Sequence, residues 1–528
     1  MVKLYIDCVF VKIYGLDEDN LEDLSDELSY PQSGYFFSPA YQSGHWDGRV
    51  RLLKERDEIP TTYTGLMYRI KQFLNKKNIE YEIIRHYDYN NENFGDNKLD
   101  DIEMRYYQSD AINIFKKKKR GVISLPTGSG KSAVIVKLVL DINVPTIIVV
   151  NRNALLEQMK SDIKQYTGLR DSEINIIGGG HKHYNEKNFI TVGTYQSLMQ
   201  RKYDTIIRKA KMLVVDECHH QRINKIGEIT EKAINAKYKL AVSATPNRED
   251  KSDLALEGLA GRVIYGIPIS QLIKDGYLMR PYIYFIPVET KCHPLLSYEK
   301  IRKYISLSEE RNVAFAKCAV EFAKRGKIVL ISILRLKQVD GLLKALKEVD
   351  DIGFDIKIIT GCDSGEEKIR TIKKMNKGVY PIVISTLFGE GVNIPKLDCL
   401  INARSTKSKI DAIQQVGRTL RIAEDKECPI CIDAWDYNSE IKIHNDRLNI
   451  INQPIIEENR LIDEENAEKL AEDPECEDLK KHKKLEKKKT DYFQKYARKR
   501  MRVYNAEPEF VVRKVSSIQE IFDDKRAQ

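Results

Sequence analysis

The sequence predicts an α/β protein. Two lobes, each a parallel sheet covered by helices, follow a small N-terminal α+β domain and precede a charged, mainly helical C-terminal extension. Three observations predict this. Short, continuous Val/Ile-rich runs alternate with helical stretches from about 102 to 265, and again from about 307 to 436. Only the first series carries a glycine-rich loop. The last ninety residues lose the alternation and separate their charges into blocks. At 528 residues the chain is also too long for one core.

Residues 1–90 read as the small domain. β-like runs cover Val2–Phe10, Arg49–Leu53 and Glu80–Ile84, with an amphipathic stretch at Leu66–Leu74. Between them lies an aromatic-rich segment, Tyr35 to Leu52, in which Gly44 and Gly48 permit tight turns around Trp46. Two of Tyr35, Phe36 and Trp46 are expected in the domain's core. Trp46 and Arg49 are the candidate nucleic-acid contacts. The polar stretch Asn90–Asp101 reads as a linker.

In the first lobe (102–265), strands are expected at Gly121–Ser124, Thr146–Val150, Phe189–Val192, Met212–Val215 and Leu240–Val242. In the second (307–436), they are expected at Lys327–Ser332, Ile356–Ile359, Pro381–Ser385, Asp398–Ile401 and Pro429–Asp433. Residues 437–528 form the extension. Residues 457–478 carry eleven Asp/Glu and two Lys/Arg, whereas 480–502 carry twelve Lys/Arg and two Asp/Glu. The basic block either touches nucleic acid or pairs with the acidic block as a solvated helical hairpin. Tyr492–Val515 reads as a helix followed by a strand.

Net charge is +9, a mild tilt toward polyanionic partners. No apolar run approaches the ~20 residues of a membrane helix, and the N-terminus reads as a strand rather than a signal peptide. Nine scattered cysteines suit a reducing cytosol, so a cytoplasmic protein is expected. Cys428 and Cys431 form the one CxxC; with no second ligand pair in view, it reads as part of a strand.

The chemistry is carried by three motifs. Gly121-Val-Ile-Ser-Leu-Pro-Thr-Gly-Ser-Gly-Lys-Ser132 is a strand running into a phosphate-cradling loop: Thr127, Gly128, Ser129 and Gly130 offer backbone N–H groups at a helix N-terminus. Lys131 would neutralise the β/γ-phosphates, and Ser132 would complete Mg²⁺ coordination. Leu125 stands where the general pattern has glycine. Met212-Leu-Val-Val-Asp-Glu-Cys-His-His220 ends a strand in two carboxylates. Asp216 would hold the metal, directly or through water. Glu217 would orient and deprotonate the attacking water. Of His219 and His220, one is a candidate coupler to the second lobe. Gln414-Gln-Val-Gly-Arg-Thr-Leu-Arg421 places Arg418 and Arg421 three apart, on one helical face, as candidate arginine fingers. Two lobes with a single loop imply one nucleotide at their interface.

Further residues flank these. Gln108, in Arg105-Tyr-Tyr-Gln108, has the donor–acceptor pair an adenine edge needs. Arg152, Thr194 and Gln196 follow strands of the first lobe and are candidate backbone-phosphate contacts, as is Thr386 in the second. Gly391, in the same Ser385–Pro395 loop, is assigned to the nucleotide side. Ser243-Ala-Thr245 is a candidate coupling element.

Taken together, Arg105-x-x-Gln108, Gly128–Ser132, Asp216–His219, Ser243–Thr245, the Thr386–Pro395 loop and Gln414–Arg421 resemble superfamily two helicases over roughly 102–436. Arg248-Glu-Asp250 looks like the matching element of XPB-type translocases. Tyr41–Leu52 and Tyr496–Tyr504 look like bacteriophage UvsW-type branch-migration helicases. The charged stretch at about 440–490 departs from that pattern and looks like an insertion.

The resemblance implies two RecA-like lobes, an N-terminal DNA-binding domain, ATP and Mg²⁺. It implies 3′-to-5′ remodelling of branched DNA: branch migration, fork regression or R-loop removal. The implied partners are single-strand/duplex DNA junctions and RNA–DNA hybrids, for a monomer in the cytoplasm (of the host, if phage-encoded). The rival readings are a duplex translocase without strand separation, an RNA helicase, and a binding subunit with a vestigial ATPase fold.

Overall fold

The computed structural model describes residues 1–87, 94–100, 102–181, 184–218, 223–244, 252–293, 296, 298–349, 353, 355–363, 365–386, 394–404, 406, 408–423, 426–472 and 481–524. His219, His220, Thr245, Arg248–Asp250, Gly391 and Glu424 lie outside these residues. The chain divides into two compact units, Met1–Leu278 and Met279–Gln528.

The first unit begins with a five-stranded sheet, in the order Lys54–Arg56, Ile59–Tyr63, Phe10–Tyr14, Val2–Ile6, Tyr81–Arg85. The run expected as one strand, Val2–Phe10, is two. Asp7 breaks it: its carboxylate accepts the N–H groups of Val9 (2.6 Å) and Phe10 (2.7 Å), turning the chain back on itself. The amphipathic stretch forms helix Met67–Lys76, which buries Ile70, Phe73 and Leu74 against Leu4, Ile6, Val11 and Ile13. Neither Phe36 nor Trp46 joins that core. Phe36 is 52% exposed and Phe37 77%, Tyr35 and Trp46 are half-buried, and Tyr35 packs edge-on against Tyr41, with ring centroids 4.7 Å apart. The core is filled by aliphatic side chains and Phe73 of the sheet and helix, which leaves the aromatics of 35–46 projecting from a short ribbon, Ser29–Pro31 paired with Arg49–Arg51.

This domain is keyed to the lobe that follows. Arg56 and Tyr63 both bond Glu231 (2.9 and 2.6 Å), and Arg69 donates twice to Glu257 (2.9 and 2.8 Å). Gly65 lies so close to the next helix that a Cβ there would stand 2.0 Å from the Glu257 carbonyl oxygen. The described part of the linker is likewise bound. The Lys137 ammonium donates to Asp96 and to both oxygens of buried Asp141, and Asn97 N–H donates to Asp141 (2.8 Å).

The first lobe is a seven-stranded parallel sheet, in the order Ile174–Ile177, Ile190–Thr194, Thr146–Val150, Met212–Val215, Tyr238–Ser243, Arg120–Ser124, Val263–Gly266. Its central strands are buried on both faces, as continuous Val/Ile runs require.

The second unit contains another seven-stranded parallel sheet, in the order Ile356–Ile359, Ile382–Ser385, Val329–Ser332, Cys399–Asn402, Ile430–Asn438, Tyr282–Thr290, Val511–Lys514. Two of these strands, Tyr282–Thr290 and Val511–Lys514, lie outside the interval 307–436. Buried Cys431 lies on strand Ile430–Asn438. Helix Tyr492–Asn505 docks on this sheet through Arg500, which bonds both oxygens of Asp433 (2.8–3.1 Å) with Tyr504 alongside (3.2 Å). Arg500 and Asp433 are both buried, so removing either would strand a charge, at a cost of about 3–5 kcal/mol. The acidic block continues a helix, Ser439–Glu472. The basic block is not its helical partner: residues 481–490 form an extended strap, and only from Tyr492 does the chain become helical.

Candidate active site

The phosphate-loop motif sits where strand Arg120–Ser124 gives way to helix Lys131–Ile142. Gly128 and Gly130 take left-handed backbone angles (φ 87° and 82°) that a side chain would strain. At Gly130 a Cβ would also meet Gln108 Nε2 at 2.4 Å. Leu125 has no positive φ; its side chain is buried and its N–H bonds Ser243 O (2.9 Å), so this position needs no glycine.

The segment before the lobe braces this loop. Gln108 is buried. Its Oε1 accepts Arg105 N–H (2.9 Å) and its Nε2 donates to Ser129 O (2.8 Å), the carbonyl that Tyr107 OH also reaches (2.8 Å). In this arrangement Gln108 positions the loop, and pairing with a base edge would draw on its remaining N–H. Arg105 lies over the Tyr277 ring, 4.8 Å from its centroid, and Tyr277 packs against Tyr107 (centroids 5.5 Å apart). Sequence reasoning missed Tyr107 and Tyr277 as parts of this support. Tyr277 lies some 170 residues downstream of Tyr107 and carries no motif.

Across the sheet, Asp216 and Glu217 leave strand Met212–Val215 between two anchors. Asp216 N–H bonds Val149 O (3.0 Å) on one neighbouring strand, and Cys218 N–H bonds Val242 O (3.2 Å) on the other. Glu217, between them, adopts a left-handed conformation (φ 46°), costly for a residue with a Cβ. This turn brings its carboxylate to Lys131, whose Nζ donates to Oε1 at 2.5 Å. Burial, reinforced by the Glu217 charge and opposed by Lys131, pushes the Asp216 carboxyl up to about 7. Lys131, Asp216 and Glu217 thus form one cluster beside the loop. Asp216 in that cluster and Ser132, in the first turn of the helix after the loop, supply hard oxygen donors. A buried carboxyl with a raised pKa is one that a dication would re-ionise, so the donor set fits Mg²⁺.

The nucleic-acid candidates of this lobe lie at the same C-terminal edge of the sheet, where open α/β folds bind ligands. Arg152 and Gln196 are exposed. Thr194 is buried, with its hydroxyl donating to Ser197 Oγ (2.9 Å). In the small domain, Trp46 Nε1 donates to Arg49 O (2.9 Å), and the Arg49 guanidinium bonds Ser29 Oγ and O (2.7 and 3.1 Å). The Trp46 N–H is therefore spent locally, and the Arg49 guanidinium partly so. The outward side chains there are Phe36, Phe37 and Tyr41, of which Phe37 was not singled out from sequence.

In the second unit, helix Lys409–Gly417 ends before either arginine. Arg418 caps it and Arg421 lies beyond, so the two do not share a helical face. Thr419 forces the exit, its N–H (2.8 Å) and hydroxyl (2.7 Å) both bonding Val416 O. The Arg421 segment is then held by Lys426, a residue the motif does not mark. Its Nζ donates to the carbonyls of Thr419 (2.5 Å), Arg421 (3.2 Å) and Pro395 (3.4 Å). Burial pushes the Lys426 ammonium down to about 8. Thr386 is half-buried at the end of strand Ile382–Ser385, its N–H toward Ile359 O (3.4 Å).

Comparisons with known proteins agree with this layout. Residues 2–85 match the family model described as DNA helicase UvsW, N-terminal; 101–248 match Type III restriction enzyme, res subunit; 311–423 match the helicase conserved C-terminal domain. The chain is 26% identical over 433 residues to the ATP-dependent DNA helicase uvsW of Enterobacteria phage T4, covering 77% of this chain and 84% of that one. It is 28% identical over 437 residues to the DNA 3′-5′ translocase XPB2 of Sulfurisphaera tokodaii, covering 75% and 93%. A fragment of an HsdR subunit of a type I restriction enzyme from Vibrio vulnificus YJ016 shares the fold over 70% of this chain and 68% of that one, with TM-score 0.50 and 22% identity. Among the described residues no helix is long and apolar enough to cross a membrane. The three models in order, over the sheets that carry the phosphate loop and the arginine motif, mark this chain as a DNA helicase, an ATPase dependent on nucleic acid, that resembles superfamily two helicases of the UvsW type.

Proposed function

We propose that this helicase is an ATP-driven 3′-to-5′ motor that remodels branched DNA, by branch migration, fork regression or removal of R-loops. The cluster of Lys131, Asp216 and Glu217 beside the phosphate loop is the observation that carries the motor reading. The polarity and the branched substrate are supported by the UvsW-type N-terminal domain and by the similarity to a DNA 3′-5′ translocase.

In this reading Lys131 and the loop N–H groups bind the phosphates, and Asp216 and Ser132 hold Mg²⁺. When bound, the metal would supply neutralisation of phosphate charge. Glu217 takes the proton of the attacking water. Arg418 and Arg421 are the fingers, a role supported by their motif. Arg152, Gln196 and Thr386 grip backbone phosphates without reading bases, and the aromatics around Tyr41 meet the junction. The working protein is a monomer acting in the cytoplasm, of a host cell if it is phage-encoded. Its domains are 1–90, 102–265, 307–436 and 437–528.

The test is the ATPase rate on a panel of single strand, duplex, fork, four-way junction and RNA–DNA hybrid. Strongest stimulation by forks and four-way junctions is expected. Equal stimulation by linear duplex, without strand displacement, would favour the duplex translocase that the relationship to the Sulfurisphaera protein suggests. Stimulation by RNA alone would overturn the DNA assignment.

A further inference from the structure

The long helix Ser439–Glu472 carries asparagines at 445, 452 and 459, seven residues apart. Each uses its whole amide on one residue of the strap. Asn445 Nδ2 donates to Lys489 O and its Oδ1 accepts Lys489 N–H, both at 2.8 Å. Asn452 does the same with Glu486 (2.9 and 2.9 Å) and Asn459 with Lys483 (3.0 and 2.7 Å). The strap thus runs antiparallel to the helix and meets it at every third residue.

The two periods match. Seven helical residues rise about 10.5 Å. Three residues span about 9.3 Å in a polyproline-type strand and at most about 10.8 Å fully extended. Contact at every third residue is the repeat of a threefold extended chain, not the twofold repeat of a β-strand. Asp491 fixes the far end: its Oδ2 accepts Asn438 N–H (2.8 Å) while its Oδ1 caps the next helix.

The ladder holds only the backbone, and this decides what the strap can bind. Its side chains are exposed throughout 481–490. His482 pairs with Asp463 and Lys483 with Glu458. Lys481, Lys484, Lys487 and Lys488 have no ion-pair partner among the described residues. The threefold repeat sets Lys481, Lys484 and Lys487 along one side. An extended peptide partner could not add to the strap as a strand, because its N–H and C=O groups at 483, 486 and 489 are already spent. What remains is a row of ammonium groups on a fixed backbone. Such point charges suit phosphates spaced along a strand and carry no base readout.

We propose that residues 481–489 are a second nucleic-acid contact, a lysine track held ready for backbone phosphates by Asn445, Asn452 and Asn459. The proposal rests on the chain's action on nucleic acid but not on its ATP chemistry. The test is binding of a labelled DNA fork to the full chain without ATP, by fluorescence anisotropy between 50 and 200 mM salt. K481Q/K484Q/K487Q/K488Q removes the charges, and N445A/N452A/N459A removes the ladder while keeping every lysine.

Each lysine that engages a phosphate contributes about 0.9 to the log–log salt slope on duplex and about 0.7 on single strand. The intact chain should therefore lose up to about 10²-fold more affinity over that salt range than the lysine variant. The ladder variant should bind more weakly at low salt, and trypsin should cut its strap faster. An unchanged slope in the lysine variant overturns the track. Full affinity and unchanged trypsin cutting in the ladder variant overturn the role of the asparagines. Polyglutamate competing as well as DNA, charge for charge, overturns the phosphate assignment. K131A, defective only in ATP chemistry, should keep the parental slope, which separates failure of this proposal from failure of the motor reading.

Discussion

Lys131 and Glu217 are bonded to each other, ammonium to carboxylate at 2.5 Å. One is the residue assigned to the phosphates, the other the residue assigned to the water. A γ-phosphate and Glu217 would compete for one ammonium, so entry of the nucleotide would also release the carboxylate for its base role. E217Q should abolish turnover while keeping or strengthening ATP binding, because an amide holds Lys131 less firmly. K131A should abolish turnover and weaken binding. Nucleotide titration alongside steady-state ATPase separates the two. Near-normal turnover in E217Q would place the base elsewhere.

Arg421→Ala should lower kcat by about 10³ to 10⁵ with little change in nucleotide affinity, since a finger contact is strongest in the transition state. Lys426→Met should produce a smaller fall in kcat of the same kind, on the order of 10²-fold, because it frees the backbone that positions Arg421. A rise in KM at unchanged kcat would contradict both roles.

Lys426 also predicts a pH dependence of stability. Its folded pKa of about 8 lies below the ordinary 10.5, so between those values the folded chain binds fewer protons than the unfolded one. Its contribution to stability therefore rises with pH through that window and falls as pH drops toward 8. Lys426→Met lacks this titration, so the Tm gap between parent and variant should widen from pH 7.5 to pH 10. An equal gap at both values would show that the ammonium is not desolvated.

Phe36→Ala with Phe37→Ala should weaken fork binding by about 1–3 kcal/mol for each stacked base lost, and should leave Tm and basal ATPase unchanged. Point substitutions test the small domain more cleanly than removal of 1–90, which would strip Glu231 and Glu257 of Arg56, Tyr63 and Arg69. Parental fork affinity in the double variant would move the junction contact off this ribbon.

The parallel sheets were legible because strands buried on both faces are written as continuous Val/Ile runs, and the phosphate loop because its glycines serve left-handed turns. The edge strand Val511–Lys514 was legible only as a local strand, since nothing in its residues says which sheet receives it. At two places where the sequence reading failed, a short-range hydrogen bond decided the outcome. Asp7 turns the first strand, and Thr419 ends the arginine helix before both arginines can share a face.

By itself, then, the sequence determined the chemistry: which residue types are present, in what order, and with what local backbone. Those depend on neighbours a few positions apart. Only the tertiary structure decided which groups are spent and which are available. Gln108 is committed to Ser129, Arg49 to Ser29 and Arg500 to Asp433, while Lys481, Lys484 and Lys487 have no ion-pair partner among the described residues, on a strap whose backbone three distant asparagines hold. A side chain's partners lie tens to hundreds of residues away, and burial makes pairings such as Gln108–Ser129 and Arg500–Asp433 obligatory. No pattern along the chain records that bookkeeping.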